Sequence, residues 1–273
     1  MREKISTCIT ARNEEDKIRR CLESVKWTDE IVVVDSFSTD ATVRICREYT
    51  DRVYQHKWLG YVGQKNLIKN MARYPWVLFL DADEEVSPEL RDEILRELES
   101  PGAVEKAGYA FPRMVHYLGR WIRRGDWYPD VKLRLFRKDA GRCTGVEPHD
   151  RVDVTGTVKR LRGRLLHYTH DSIDDHIVSI NKYSSITALG WFRQGKRTSM
   201  IHLIVRPPFR FIRCYLLKLG FLDGVPGLIV ATTAAYGVFI KYAKLWALRK
   251  AQGSRAPAGS GGPAASPPSG PAA

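Results

Sequence analysis

Residues 76–85 read WVLFLDADEE. Five apolar residues, Trp76 to Leu80, run into four carboxylates: Asp81, Asp83, Glu84 and Glu85. A short apolar run bounded by charge predicts a strand buried on both faces, as in a parallel sheet. Asp81 and Asp83 then stand where that strand leaves the sheet. Open α/β sheets bind ligands at the carboxyl ends of their strands. Two carboxylates one residue apart suit a hard divalent cation, which also grips phosphate oxygens. A plainer reading is open on the same residues. Ser87-Pro88-Glu89 starts a helix just beyond, and acids near a helix start are favoured by its dipole.

Working outward, the pattern repeats on both sides. Ile5–Thr10 reads as a first strand, ended by the polar stretch Ala11–Glu15. Ile18, Leu22 and Val25 recur at helical spacing, which predicts a helix ending near Trp27. Glu30–Asp35 (EIVVVD) is a second buried strand, and Asp40 is a candidate N-cap for the helix carrying Val43 and Cys46. Arg52–Gln55 reads as a short third strand. Gly60–Asn66 (GYVGQKN) reads as a glycine-bearing loop feeding a helix through Met71. Pro88–Glu99 is a further helix. Strand and helix alternate four times, so the fold class is α/β, a mostly parallel sheet flanked by helices. Beyond Pro101 the order is looser. Val131–Phe136 (VKLRLF) alternates apolar and basic residues, as in a half-exposed strand, and Asp171–Arg193 reads as a helix with Ile177, Ile180, Tyr183 and Ser184 on one face.

Charge divides the chain. The net charge is +13, which calls for an anionic partner. Residues 196–250 hold ten Lys or Arg against one acid, Asp223, so most of that charge lies in the C-terminal third. The same third is apolar. Val225–Ile240 has no charge over sixteen residues, short for a span of about 20. Its Arg, Lys, Tyr and Trp neighbours suit a lipid headgroup region. The expectation is a monotopic, cytoplasm-facing association with anionic lipid, set against a helical subdomain packed on the sheet. Ala251–Ala273 is Ala, Gly, Pro and Ser with one charge, Arg255, a composition that buries no core. The expected division is 1–170 catalytic, 171–250 helical and basic, and 251–273 a disordered tail. Five cysteines without a CxxC pair disfavour a disulfide framework or zinc site. The first ten residues, MREKISTCIT, carry no apolar run of signal-peptide length, so none is expected.

No GxGxxG follows the first strand and no GxxxxGK[ST] occurs, which disfavours a dinucleotide dehydrogenase and a P-loop NTPase. The strand ends instead offer Thr10-Ala11-Arg12-Asn13-Glu14, Asp35-Ser36 and Asp81-Ala82-Asp83. Asp35 can accept hydrogen bonds from a base or ribose, or simply form a turn. Lys65 can meet a diphosphate, or be a solvated surface charge. Together these residues outline a nucleotide-diphosphate pocket with a metal.

ITARNEE, VVVDSFSTDAT, GQKN and FLDADEE, in that order, resemble the inverting glycosyltransferases of family 2, which have the GT-A fold. WYPDVKLRLFRKD (127–139), PHDRV (148–152), HYTH (167–170), KLGFLDGVPG (218–227) and KYAKLW (241–246) look like the lipopolysaccharide core β-1,4-glucosyltransferase branch. The resemblance implies a nucleoside diphosphate sugar, UDP-linked, bound by Thr10, Arg12, Asn13, Glu14, Asp35, Ser36, Lys65, Asn66 and Asp81. It implies Mg²⁺ or Mn²⁺ on Asp81 and Asp83, with His167 a third ligand. It also implies a hexose, glucose first, passed to a lipid-linked acceptor such as the lipopolysaccharide inner core, at the cytoplasmic face of the inner membrane. Inversion needs a carboxylate base on the acceptor side. Asp126, Asp130, Glu147 and Asp150 are the candidates. Asp150 is preferred because the branch has a His followed by an acid there, and Glu147 is the reserve.

Two other classes compete. A haloacid dehalogenase-type phosphatase would use Asp81 as nucleophile and Asp83 as acid, but its motif follows a first strand and carries Thr after DxD, where Glu84-Glu85 stand here. A nucleic-acid binder would expose stacking aromatics on a basic surface. The continuous apolar stretch argues against one, and no nucleic-acid partner is expected.

Overall fold

The computed structural model describes residues 2–146 and 149–253. Glu147, the tail beyond Gly253 and the Pro148 before Asp150 lie outside them.

The N-terminal half follows the alternation. Strands β1 (Ile5–Ala11), β2 (Glu30–Asp35), β3 (Val53–Gln55) and β4 (Trp76–Asp81) are joined by helices α1 (Ile18–Glu23), α2 (Thr42–Arg47) and α3 (Gly60–Met71). They pair in parallel in the order β3-β2-β1-β4. Trp76 to Leu80 are all buried, as a strand covered on both faces requires. One face packs Ile5, Ile9, Ile18, Leu22 and Trp76, and the other packs Cys8, Val32, Val34, Ile68 and Phe79. Two boundaries differ from expectation. Helix α1 stops at Glu23 and runs into a turn, whose Trp27 Nε1 donates to Ser24 O at 2.8 Å. The GYVGQKN stretch is not a loop but the first two turns of α3, entered through Gly60 in the left-handed region (φ 83°).

After β4 the sheet turns mixed. A short strand β5 (Glu84–Val86) leads into α4 (Pro88–Glu99), whose Ser87 cap accepts from Leu90 N. Then come β6 (Lys106–Tyr117), β7 (Arg120–Trp121), β8 (Asp130–Arg137), the hairpin β9 (Gly141–Val146) and β10 (His149–Val154), β11 (Thr157–Arg160) and β12 (Leu165–His170). Strand β8 lies antiparallel to both β4 and β6, and the sheet continues β6-β12-β5. This is the GT-A-type architecture: a parallel N-terminal half, with mixed strands beyond it.

Helices complete the described chain: α5 (Ile173–Arg193), α6 (Met200–Ile204), α7 (Arg206–Ile212), a π turn (213–217), a 3₁₀ turn (Gly220–Asp223) and α8 (Gly224–Gly253). Pro207-Pro208 sits in the first turn of α7, where a missing N–H costs nothing. The sixteen uncharged residues belong to a much longer helix. Gly220–Gln252, 33 residues, is long and apolar enough by length and composition to cross a membrane. The helix also has a protein side. Val230, Ala231, Tyr242 and Leu245 are buried, and Lys244 is bonded to α5. The inward face of α5 is also narrower than its periodicity predicts. His176, Ser184 and Ala188 are buried, while Tyr183 is exposed.

Candidate active site

The register of β1 gathers the site. Thr10 pairs with Asp81 on one side and Ala11 with Asp35 on the other. The ends of β1, β2 and β4 therefore meet at one sheet edge. Asp81 Oδ1 lies 3.1 Å from Lys65 Nζ, and Asp81 Oδ2 lies 2.7 Å from an Arg134 nitrogen. Lys65 also reaches Asp150 Oδ2 at 2.9 Å. It is buried on α3, not a solvated surface charge. Burial opposes ionisation of Asp81, but Arg134 and then Lys65 overcome it and hold the carboxyl well below its usual range.

Asp83 faces another way. The turn after β4 is stapled to β12 by Tyr168 N donating to Asp83 O at 2.9 Å. This staple sets His167 Nε2 3.0 Å from Asp83 Oδ2. Burial pushes the Asp83 carboxyl up, and His167 more than offsets it. Glu14 stands close by. Burial, and then the charge of Asp83, raise it to about 7. Its backbone N–H donates to Thr42 Oγ1 at 2.8 Å, which fixes the loop.

The remaining predicted residues separate into two groups. Arg12 and Asn13 are exposed at the end of β1, and Asn13 Oδ1 accepts from Thr39 N at 2.9 Å. Asp35 is fully buried. Its carboxylate accepts from Ser38 N at 2.9 Å, from the Ser38 hydroxyl and from Gln55 Nε2 at 3.1 Å. Ser36 Oγ accepts from Gln64 Nε2 at 3.2 Å. Asn66 turns toward the hairpin, where it exchanges two 2.9 Å hydrogen bonds with the Cys143 backbone. The contacts thus form two neighbouring groups, Asp81 with Lys65 and Asp150, and Asp83 with His167 and Glu14, while Asn66 positions β9.

The sequence reading gave Arg113 and Arg134 no role, and left Glu84 as one acid of the cluster without a part of its own. Glu84, fully buried, accepts from Arg134 at 2.8 Å and Arg113 at 3.1 Å, and its other oxygen accepts from Asp81 N at 3.0 Å. Arg113 also binds Asp130 at 2.8 Å. The alternation of VKLRLF does not hold in β8, where Arg134, Leu135 and Phe136 are all buried. Arg134 points inward to the acids, whereas Val131 is 38% exposed. Four carboxylates within five residues demand buried cations, and a basic residue on a neighbouring strand was the available signal.

A cavity of about 650 Å³ opens over this edge, lined by Glu14, Asp83, Arg113, Asp126, Asp130 and His167 and, across it, by α5 and Lys241 of α8. The residues present fit a divalent cation. Asp83 Oδ2 and His167 Nε2 lie 3.0 Å apart, Glu14 is a crowded carboxylate close by, and His167 Nδ1 is buried without a partner among the described residues. Asp81, Asp83 and His167 do not form a three-ligand cluster among the described residues, because both Asp81 oxygens face cations. Two protein ligands completed by phosphate oxygens and water is the usual arrangement for Mg²⁺.

Fold and site together define a GT-A-type α/β glycosyltransferase. Glycosyl transferase family 2 matches residues 6–160, more than half of the chain, and the chain belongs to that family. It is similar to an uncharacterized glycosyltransferase of Rickettsia typhi, 34% identical over 252 residues covering 89% of this chain and 86% of that one. It is also similar to the lipopolysaccharide core biosynthesis glycosyltransferase LpsC of Rhizobium meliloti, 33% identical over 249 residues, 89% and 92% of the two chains. Among solved structures, S. aureus TarS 1–349 in complex with UDP-GlcNAc aligns over 91% of this chain and 92% of that one, with 15% identity and a TM-score of 0.47.

Proposed function

We propose that the chain transfers a hexose, glucose in the first instance, with inversion from a UDP-sugar to a lipid-linked saccharide such as the lipopolysaccharide inner core. The observation that carries this reading is the strand-end cluster, with its paired carboxylates, buried Lys65 and adjoining cavity, in a chain 33% identical to a lipopolysaccharide core glycosyltransferase. Asp83 and His167 would hold Mg²⁺ or Mn²⁺, which supplies charge neutralisation for the departing diphosphate. Asp81 contributes by orienting Lys65 and Arg134 toward the same edge. Thr10, Arg12, Asn13 and Glu14 sit at the end of β1, where a nucleotide would bind.

The acceptor hydroxyl must lose a proton as it attacks. Asp150 is our base, with its carboxylate fixed by Lys65 at 2.9 Å beside Asp81. A second reading has one observation behind it: Asp130 lines the cavity. Against it, Asp130 is engaged by Arg113 at 2.8 Å and Lys132 at 3.1 Å. Glu147 lies outside the described residues.

The acceptor's lipid agrees with the surface of residues 200–225. Met200, Ile201, Leu217 and Val225 are each more than 60% exposed. Soluble monomers rarely present so much apolar surface without a partner. We read it as peripheral or monotopic contact with an anionic bilayer on its cytoplasmic face. A panel of nucleotide sugars assayed for hydrolysis and transfer, with and without Mn²⁺ or Mg²⁺, tests the whole reading. UDP-hexose turnover abolished by a chelator is expected. Turnover of phosphate esters instead would return the phosphatase alternative.

A further inference from the structure

The cavity that begins at Asp83 and His167 reaches Lys241 on α8. Two lysines one turn apart on that helix are treated oppositely. Lys244 Nζ lies within hydrogen-bonding distance of four oxygens of α5, which share its three donors: Asn181 O at 2.7 Å, Asn181 Oδ1 at 2.6 Å, Ser184 Oγ at 2.8 Å and Ser185 Oγ at 2.8 Å. Lys241 has no hydrogen bond and no carboxylate partner among the described residues. Its ammonium rests 5.1 Å from the centroid of the Trp191 ring and 5.7 Å from that of Tyr242. Burial, and then the charges of Arg210 and Arg206, press its pKa below the usual lysine value. Those two arginines are themselves occupied, Arg210 by Asp126 at 2.9 Å and Arg206 by the Tyr242 hydroxyl.

An ammonium carries three donors and no acceptor. Half-buried beside a cavity and in the field of two further cations, it is the arrangement that a bound anion relieves. The other basic residue lining the cavity, Arg113, already has Glu84 and Asp130. Ser179, Tyr183 and Thr187 of α5 also line it, so the wall offers hydroxyls to a saccharide.

Resting on the reading above, we propose that Lys241 forms an anion subsite in the acceptor pocket, so that the acceptor saccharide carries a phosphate or a carboxylate which Lys241 seats. The subsite lies across the cavity from the strand ends, so it serves the acceptor and not the donor diphosphate.

The test titrates the full chain, with UDP present, against glucose 6-phosphate, glucuronate and glucose, reading saturation transfer to the sugar protons. The expected result is that at least one anionic sugar binds about tenfold more tightly than glucose, the scale of one charge-assisted hydrogen bond. Whichever of phosphate or carboxylate shows the gain identifies the group. Lys241→Gln should erase the preference and Lys241→Arg should keep it, while UDP affinity stays the same in both. Equal binding of the three sugars, or a preference that survives Lys241→Gln, overturns the subsite. Loss of UDP binding in the unaltered chain would instead remove the glycosyltransferase reading beneath it.

Discussion

The two halves of this chain solve opposite problems. At the strand ends, charge is placed inside and matched. Asp81, Glu84, Lys65 and Arg134 are each bonded to a partner of opposite sign. From residue 200 onward, apolar side chains are placed outside and left unmatched, with Phe209 59% and Leu217 69% exposed. Even the basic charge of that segment is partly internal. Arg210, Arg213 and Lys218 surround the buried Asp126, and Lys244 and Arg249 bond to α5 and to the backbone that follows it. Charge buried with partners is the mark of a preorganised site. Apolar surface left in water is the mark of a site awaiting its solvent. The charged cluster is matched within the first 170 residues, although α5 and Lys241 of α8 wall its cavity, and the exposed apolar surface of the helical half is what we propose meets a bilayer.

The sharpest way to break this contrast is at Asp83. Asp83→Ala removes the partner of His167 and the charge that crowds Glu14. Metal-dependent UDP-sugar binding should disappear, with the melting temperature close to that of the parent. Turnover persisting at the parent rate would end the DxD assignment. Next in size is Asp150→Asn. It keeps the shape and lowers proton affinity, so transfer should fall by about 10² or more, the usual scale for general-base loss, while UDP affinity is retained. A normal rate in this variant, with failure of Asp130→Asn, would move the base to the cavity wall.

The helical half is tested at its surface and not at its arginines. Arg210→Glu would strip Asp126 of a partner and confound packing with binding. Ile201→Asp with Leu217→Asp changes exposed side chains only. Co-sedimentation with anionic vesicles should weaken several-fold in this double variant. In the parent it should weaken with salt, since each basic residue near the lipid contributes roughly 1 kcal/mol and salt screens it. Retention of the parent through carbonate washing would mean that Gly220–Gln252 spans the bilayer.

How much of this was legible beforehand follows the same division. The parallel strands were readable because Ile31–Val34 and Trp76–Leu80 are apolar on both faces. The meeting of Asp81 with Asp35 across β1 followed from strand order alone. The pairing of Lys65 with Asp150 did not, because it joins residues 85 apart through the packing of α3 on the hairpin. Arg134 was hidden for a subtler reason. Alternation predicts one solvent-facing side, but both faces at the end of β8 are covered, Leu135 and Phe136 as well as Arg134, and Asp81 and Glu84 supply the partners that let a guanidinium be buried. The length of α8 was underestimated because charges were taken as its ends, whereas Lys241 and Lys244 lie within it against α5.

The smallest expected effect links the halves. His170 and His176 stack where β12 meets α5, with ring centroids 4.8 Å apart. Burial holds both near 4, below the usual 6.5, each helped a little by a neighbouring histidine. The unfolded chain therefore takes up protons first as pH falls. The stability held by these two groups is complete above about 6.5 and is lost progressively down to about 4. Glu14 works the other way. Its carboxyl is raised to about 7 from 4.5, so the native state keeps a proton that the unfolded chain has shed, and stability falls as pH rises through that interval. Between 4.5 and 6.5 the two trends oppose each other, and two histidines outweigh one carboxyl. Thermal melts from pH 4.5 to 7.5 should therefore show stability rising to near 6.5 and easing above it. His176→Gln leaves one histidine against one carboxyl over that interval and should nearly abolish the acid limb. An acid limb unchanged in that variant would mean that the stacked pair is not what ties the sheet to the helices at low pH.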